Sequence, residues 1–386
     1  MHIFFSVGEP SGDQHAAHLI AELRRRRPDI RVSGFGGPLM QQAGCRLLFQ
    51  LTSLAVMGVW RVIPLLWRFI RLVGDARRFF HDEKPDAVVL VDFPGFNWSI
   101  ARKAKAEGIP VFYYLPPQLW AWAPWRIRRV RKFVDHVLCG LPFEKEWYAK
   151  RGVVADYVGH PFFDEVADAR LDAAFLRTWS SGAMRNVGIL PGSRNHEIAK
   201  HFPLMIEIMK VLAAKHSDVR FLVACYKPQH LERCREMLRE TAIELPIHLF
   251  VDKTPEIIES ADCCLMVSGS VSLEMLARKK PAVVFYRTVR LFYPLMRVLV
   301  RLNSITLPNL IAGHVVLPEW LLVWFPKRDV RRITAVLDGW LSDRRQLQQV
   351  VARLDELHLR VVQTGATKRT ADAILSRLEA ARSKAA

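Results

Sequence analysis

The sequence predicts an α/β protein in two successive halves, each a parallel sheet flanked by helices. Three observations predict it. Short apolar runs such as His2–Val7, Ala87–Val91 and Cys263–Val267 have the length and composition of strands buried on both faces. Amphipathic stretches separate such runs, so strand and helix alternate along the chain. The alternation pauses over Leu171–Arg185, a polar junction, and restarts at Val187. With 386 residues, 51% of them hydrophobic, two or three domains with substantial cores are expected. The divisions fall at 1–170, 171–345 and 346–386. The tail is helical, rich in Arg, Leu and Ala, and has no strand to build a core of its own. It is expected to pack across the other domain or a partner subunit.

In the first half, His2–Val7 runs into Gly8-Glu9-Pro10-Ser11-Gly12-Asp13, with a helix from about Gln14 to Arg26. Strand, tight loop and helix make a first Rossmann unit, although the G-x-G-x-x-G of a dinucleotide site is absent. Arg31–Phe35 is a second strand, ending at Gly36-Gly37-Pro38. Ala87–Val91 reads as a central strand with Asp92 at its carboxyl end, followed by Phe93-Pro94-Gly95-Phe96-Asn97. Val111–Tyr114 and Asp135–Cys139 are further strands, and Tyr157–Pro161 closes this half. In the second half the strands are Val187–Leu190, Phe221–Ala224, Ile247–Phe250, Cys263–Val267 and Ala282–Tyr286.

Open α/β sheets place ligand chemistry at the carboxyl ends of their strands. After Leu190 the chain turns at Pro191-Gly192, and Ser193 takes the N-cap place of a helix with Glu197 in its first turn. Backbone N–H groups and the positive end of the helix dipole suit a phosphate there. Arg194 adds a planar fork of donors. Gly192, Ser193 and Arg194 are therefore candidates to grip a diphosphate; an ordinary turn with a solvated arginine fits the same spacing. Ser268-Gly269-Ser270 repeats the device, with Glu274 as a candidate carboxylate for ribose hydroxyls. Asp92 and Asp13 are candidate general bases for a sugar hydroxyl, and Ser11 a candidate substrate contact; capping a loop or helix is the alternative for each. No D-x-D pair stands at a strand end, so neither a metal nor another cofactor is expected.

Lys and Arg number 56 against 38 Asp and Glu, a net charge of +18, which calls for an anionic partner. Leu54–Val73 is apolar around much of its circumference and broken by Arg61, Arg68 and Arg71. That suits a helix lying at a membrane surface, with Trp60, Leu65, Leu66, Trp67 and Phe69 as contact residues. A buried helix with snorkelling arginines is the alternative. Val289–Leu302 has the same character, and Arg126, Arg128, Arg129, Arg131 and Lys132 follow three tryptophans, Trp120, Trp122 and Trp125. Nucleic acid would account for the charge but not for these apolar surfaces, and no nucleic-acid-binding motif is present. No segment reads as a signal peptide or a spanning helix. The six cysteines lack metal-ligand spacing and fit a reducing compartment.

Nine motifs in order then carry a resemblance. They are Gly8–Asp13, Ala55-Val56-Met57-Gly58, Asp92–Asn97, Trp120-Ala121-Trp122, Leu141-Pro142-Phe143-Glu144, Val158-Gly159-His160-Pro161, Leu190–Arg194, Ser268–Ser270 with Glu274, and Leu307–Gly313. The chain resembles the lipid-A-disaccharide synthases, inverting glycosyltransferases of the GT-B fold. The resemblance implies two Rossmann-like domains facing a central cleft, with C-terminal helices crossing back or exchanged within a homodimer. It implies a UDP-2,3-diacylglucosamine donor and a 2,3-diacylglucosamine 1-phosphate acceptor, joined as a β-1,6 disaccharide phosphate with release of UDP. It implies peripheral binding at the cytoplasmic face of the bacterial inner membrane, on its anionic lipid surface. Asn309 would line the donor site. The chain departs from the family pattern at Gly95, where some members have an aspartate, and at Pro116 and Leu322, where serine and glutamine are usual. Two alternatives are another GT-B enzyme, such as a UDP-N-acetylglucosamine 2-epimerase or a lipid-linked sugar transferase, and a non-catalytic basic membrane-binding or nucleic-acid-binding protein.

Overall fold

The computed structural model describes residues 1–54, 66–180, 182–241, 244–288, 304–323 and 326–385. The chain divides into two compact units, Met1–Glu165 with Gln363–Ala386, and Val166–Val362. Each is organised by one parallel sheet.

The first unit contains β1 (His2–Val7), β2 (Arg31–Gly36), β3 (Arg46–Gln50), β4 (Ala87–Val91), β5 (Val111–Tyr114), β6 (His136–Cys139) and β7 (Ala155–Tyr157). Their order is β3-β2-β1-β4-β5-β6-β7, so strand order reverses between β1 and β4. These two strands pair in register from Ile3↔Ala87 to Val7↔Val91, which brings their carboxyl-end loops side by side. Alternation along the strands sorts two cores. Phe4, Val88 and Leu90 face one side, with Leu72, Ala76 and Phe80 of helix Leu66–Glu83 and Ile100 and Ala104 of helix Pro94–Ala106. Ile3, Phe5, Val7 and Val89 face the other, with Leu19, Ile20 and Leu23 of helix Pro10–Arg26.

The tail divides. Helix Arg344–Val361 stays with the second unit, packed on helix Val271–Ala277, whereas helix Ala366–Ala385 completes the first. Ala371, Ile374, Leu375 and Leu378 enter the first unit's core beside helix Pro10–Arg26. Asp164 fastens the start of this last helix by accepting the N–H groups of Gly365, Ala366 and Thr367.

The second unit contains β8 (Arg185–Leu190), β9 (Val219–Cys225), β10 (Ile247–Val251), β11 (Cys263–Val267), β12 (Ala282–Arg287) and β13 (Glu319–Leu322), in the order β10-β9-β8-β11-β12-β13. Strand order reverses between β8 and β11, paired from Cys263↔Val187 to Met266↔Leu190. Four elements differ from the sequence reading. Strands β3 and β13 lack the long apolar run that marks a central strand, as expected of positions at the sheet edge. Ala173–Ser180, inside the expected polar junction, is helical, with Phe175 against Phe250 and Trp179 against His248. The helix expected from Gln14 begins at Pro10, because proline is suited to a first helical position. All six cysteines are free and buried.

Candidate active site

The reversal of the first sheet gathers the Gly8–Asp13 loop and the Asp92–Asn97 turn. Asp92 and Phe93 both have left-handed backbones, φ 45° and 43°. Such strain concentrates where a side chain must be aimed. Surrounding bonds hold it: Asn97 Nδ2 and the Tyr113 hydroxyl each donate to the Asp92 carbonyl at 2.8 Å, and the Ser6 hydroxyl donates to Asn97 Oδ1 at 2.7 Å. A Cβ at Gly8 would lie 2.2 Å from the Phe93 ring, so Gly8 makes room for this turn. The Asp92 carboxylate itself has no hydrogen-bond partner among the described residues. Burial drives its pKa up to about 6, against the pull of His15 and with a push from Glu9.

Asp13 is placed differently. Its Oδ1 accepts from Gly37 N at 2.8 Å and Met40 N at 3.2 Å, and its Oδ2 from Leu39 N at 3.1 Å. The carboxylate thus caps the short helix Pro38–Gln42, and these bonds take three of its roughly four lone-pair sites. Ser11 is exposed in the first turn of helix Pro10–Arg26.

Four ionisable residues near Asp92 carried no role in the sequence reading. His15 Nδ1 lies 2.7 Å from Glu165 Oε1, and both side chains are largely buried. The rings of His15 and His160 meet edge to face at 5.9 Å. His160 Nδ1 accepts from Phe162 N, so its ring proton lies on Nε2, and burial pushes its pKa down to about 3. Glu144 accepts from Trp120 Nε1 at 2.9 Å and Leu141 N at 3.0 Å; burial pushes its pKa up to about 7. Only the quoted motifs hinted at Glu144 and His160. His15 and Glu165 stand 150 positions apart, and no local pattern joins them.

The reversal of the second sheet sets the Pro191–Arg194 turn beside Ser268–Ser270. Gly192 has φ 118°, a conformation glycine accepts readily. The N-cap is Arg194 rather than Ser193, because Glu197 folds back beneath the turn. Glu197 Oε2 accepts from Ser193 N at 2.9 Å and Arg194 N at 3.2 Å, and Oε1 accepts from Arg194 Nη1 at 2.8 Å. Two amides expected to hold phosphate therefore already hold a carboxylate. Asn195 and His196, next in the first turn and exposed, lack intrahelical acceptors. Behind them, Arg287 N donates to His201 Nε2 at 3.0 Å, which fixes the ring proton on Nδ1 for Glu197 O at 2.7 Å.

The second turn is looser. The Ser268 hydroxyl donates to Ile305 O at 2.7 Å, while Gly269 and Ser270 are exposed. Glu274 is buried and accepts from Arg278 Nε through Oε1 at 2.9 Å; Oε2 has no hydrogen-bond partner among the described residues. Asn309 is buried, donates to Leu317 O and accepts from Val316 N and Leu317 N, each at 2.8 Å. Its amide fastens the 316–317 loop.

Of the expected membrane contacts, Leu66 and Trp67 are exposed, Trp67 by 81%, and Ile70 joins them on helix Leu66–Glu83. Phe69 turns inward instead, against Phe96 at 5.6 Å and Phe93 at 6.2 Å, because it lies on the face that meets the core. Trp60, Leu65 and the Ala55–Gly58 motif lie outside the described residues, as does all of Val289–Leu302. Trp125 is exposed beside helix Ile127–Phe133, which packs on the same face of the sheet as helix Leu66–Glu83. No helix among the described residues is long and apolar enough to cross a membrane.

Solved structures share this architecture. S. aureus MnaA with UDP aligns with a TM-score of 0.66 at 12% identity, over 98% of this chain and 96% of that one. The calicheamicin glycosyltransferase aligns at 0.59 and 16%, over 98% of each. Two parallel-sheet Rossmann-like units with loops gathered at both reversals define the GT-B class of fold. Residues 3–359 match the family model for lipid-A-disaccharide synthetase. Lipid-A-disaccharide synthases of Myxococcus xanthus and Alkalilimnicola ehrlichii are 34% and 35% identical, over 97% of this chain and 97% and 98% of theirs. The chain belongs to the lipid-A-disaccharide synthetase family.

Proposed function

We propose that the chain transfers a 2,3-diacylglucosamine unit from UDP to the 6-hydroxyl of 2,3-diacylglucosamine 1-phosphate, with inversion, giving the β-1,6 disaccharide phosphate and UDP. The observation that carries this reading is Asp92: a carboxylate at a strand-order reversal, free of hydrogen bonds among the described residues, with a pKa near 6. A base needs such an open lone pair and a pKa near the working pH. Asp92 takes the hydroxyl proton as the acceptor oxygen attacks the anomeric carbon and the diphosphate leaves. Asp13, engaged as a cap by three backbone N–H groups, holds the neighbouring loop in place, with Ser11 beside it as a substrate contact.

The second unit takes the donor. Arg194 and the amides around Gly192–His196 receive the diphosphate, with Ser268, Gly269 and Ser270 on the adjacent strand end. Glu274 Oε2 is available to a ribose hydroxyl, and Asn309 shapes the wall through the loop it fastens. The exposed Leu66, Trp67 and Ile70, with Arg68 and Arg71 near them, dock the first unit on the anionic lipid of the inner membrane's cytoplasmic face, where both acylated substrates reside. A homodimer is part of this reading. The direct test incubates the purified protein with both substrates and looks for disaccharide phosphate by mass and for stoichiometric UDP. Product formed without the acylated acceptor, or conversion of UDP-N-acetylglucosamine alone, would favour the epimerase-like alternative.

A further inference from the structure

The histidine–glutamate pair beside Asp92 has no part in the reading above. His15 and Glu165 form a short hydrogen bond at 2.7 Å with both side chains largely removed from solvent. Burying such a pair costs desolvation that apolar residues of similar size would not incur, so it adds little to stability. Its placement suggests another use. A Cβ at Gly12 would lie 3.7 Å from Asp92 Oδ2, so the carboxylate leans on that face of helix Pro10–Arg26. His15 is three residues further along, on the same face. The edge of His160 bounds the imidazole at 5.9 Å. Glu165 is in turn steadied by its chain neighbour Asp164, which accepts three N–H groups at the start of the last helix.

We propose that His15, oriented by Glu165, is a positioning residue for Asp92: its imidazole stands on the helix face against which this carboxylate, unpartnered among the described residues, leans. This rests on Asp92 being the base. The charged and titratable groups around the pair are Glu9, Tyr113, Tyr114 and Glu144 near Asp92, and Glu165, His18 and His160 near His15. Within this set His15 is what draws the Asp92 proton off, and Glu9 opposes it. Glu165 holds the ring through Nδ1 and leaves Nε2 free of hydrogen bonds among the described residues.

The test is the pH profile of disaccharide formation by the full chain carrying His15→Gln or Glu165→Gln. The wild-type acid limb is expected near Asp92's value of about 6. In His15→Gln the limb moves up by roughly one pH unit, because the neighbour that draws the Asp92 proton off is gone. Glu165→Gln moves it in the same direction by less, while the donor KM stays unchanged in both. A limb that stays at the wild-type position in both variants overturns the proposal even if kcat falls, because a purely structural pair would lower the rate without moving it. If His15→Gln does not fold, Glu165→Gln decides alone, since it keeps an oxygen for Nδ1. Asp92→Asn separates the two readings. Full activity in it removes Asp92 as base, whereas an inactive Asp92→Asn with unmoved limbs elsewhere removes only the role of His15.

Discussion

Arg194 and Glu197 are joined twice in the exposed turn after β8: the Arg194 N–H reaches Oε2 at 3.2 Å and its guanidinium reaches Oε1 at 2.8 Å. The turn therefore carries its own anion on the groups proposed for the diphosphate. A phosphate arriving there meets a fixed negative charge, worth about 1 kcal/mol at 4 Å in water and more where water is excluded. Glu197→Gln is expected to tighten UDP binding several-fold by titration calorimetry. Arg194→Ala is expected to weaken it by about ten- to a hundredfold, as loss of charge-assisted hydrogen bonds does. Weakening in both variants would make Glu197 a brace for the turn and not a competitor.

Asp92→Asn separates activity from stability. Loss of the base lowers kcat by about two to four orders of magnitude. The same change stabilises the fold at pH 8. The folded carboxyl has a pKa of about 6 against the ordinary 3.8, so ionising it opposes folding. About two pH units correspond to roughly 3 kcal/mol, present in full above pH 6 and gone as pH falls below 4. Denaturant melts of the two proteins at pH 8 and pH 4 measure it; equal stability at both would contradict the burial of Asp92.

On helix Leu66–Glu83, triple replacement of Leu66, Trp67 and Ile70 by serine is expected to cut partitioning onto anionic vesicles by about a hundredfold or more. Melting temperature should hardly change, because all three are exposed. Phe69→Ser is expected to do the reverse: unchanged vesicle binding, with a stability loss of about 2–4 kcal/mol from the ring cluster with Phe93 and Phe96. Unchanged vesicle sedimentation of the triple variant would end the docking proposal.

Gly95 faces open space, with nothing within 4 Å of where a Cβ would stand, in the first turn of helix Pro94–Ala106. Gly95→Asp is expected to fold normally, since a carboxylate is favoured at a helix start. Placed in the Asp92→Asn background, it asks whether the neighbouring position can supply the base. Partial recovery of disaccharide formation is expected if both positions address the same hydroxyl, and no recovery if only Asp92 does.

Much of this was legible because it is local. Strand, glycine turn and helix are adjacent in sequence, so the Pro191–Arg194 and Ser268–Ser270 turns and the strand-end position of Asp92 follow from short windows. The role of Glu197 needed one more fact, the N-cap at Arg194: a one-residue displacement of that cap turns a first-turn glutamate into a carboxylate folded under the turn. Asp13 was placed at the right strand end, yet its three backbone donors come from Gly37 to Met40, a separate turn. The His15–Glu165 pair is assembled by topology alone. Phe69 was misread because a helix rich in apolar residues on several sides does not declare which side meets the sheet until the sheet is present.

The Asp164 clamp on the last helix affects the order in which the protein is made. Ala371, Ile374, Leu375 and Leu378 complete a core whose other buried members lie among the first 160 residues. On the ribosome, the amino-terminal unit therefore waits, with one helix-binding face uncovered, until nearly the whole polypeptide has emerged. A premature stop or a proteolytic nick near Gln363 would damage the part synthesised first.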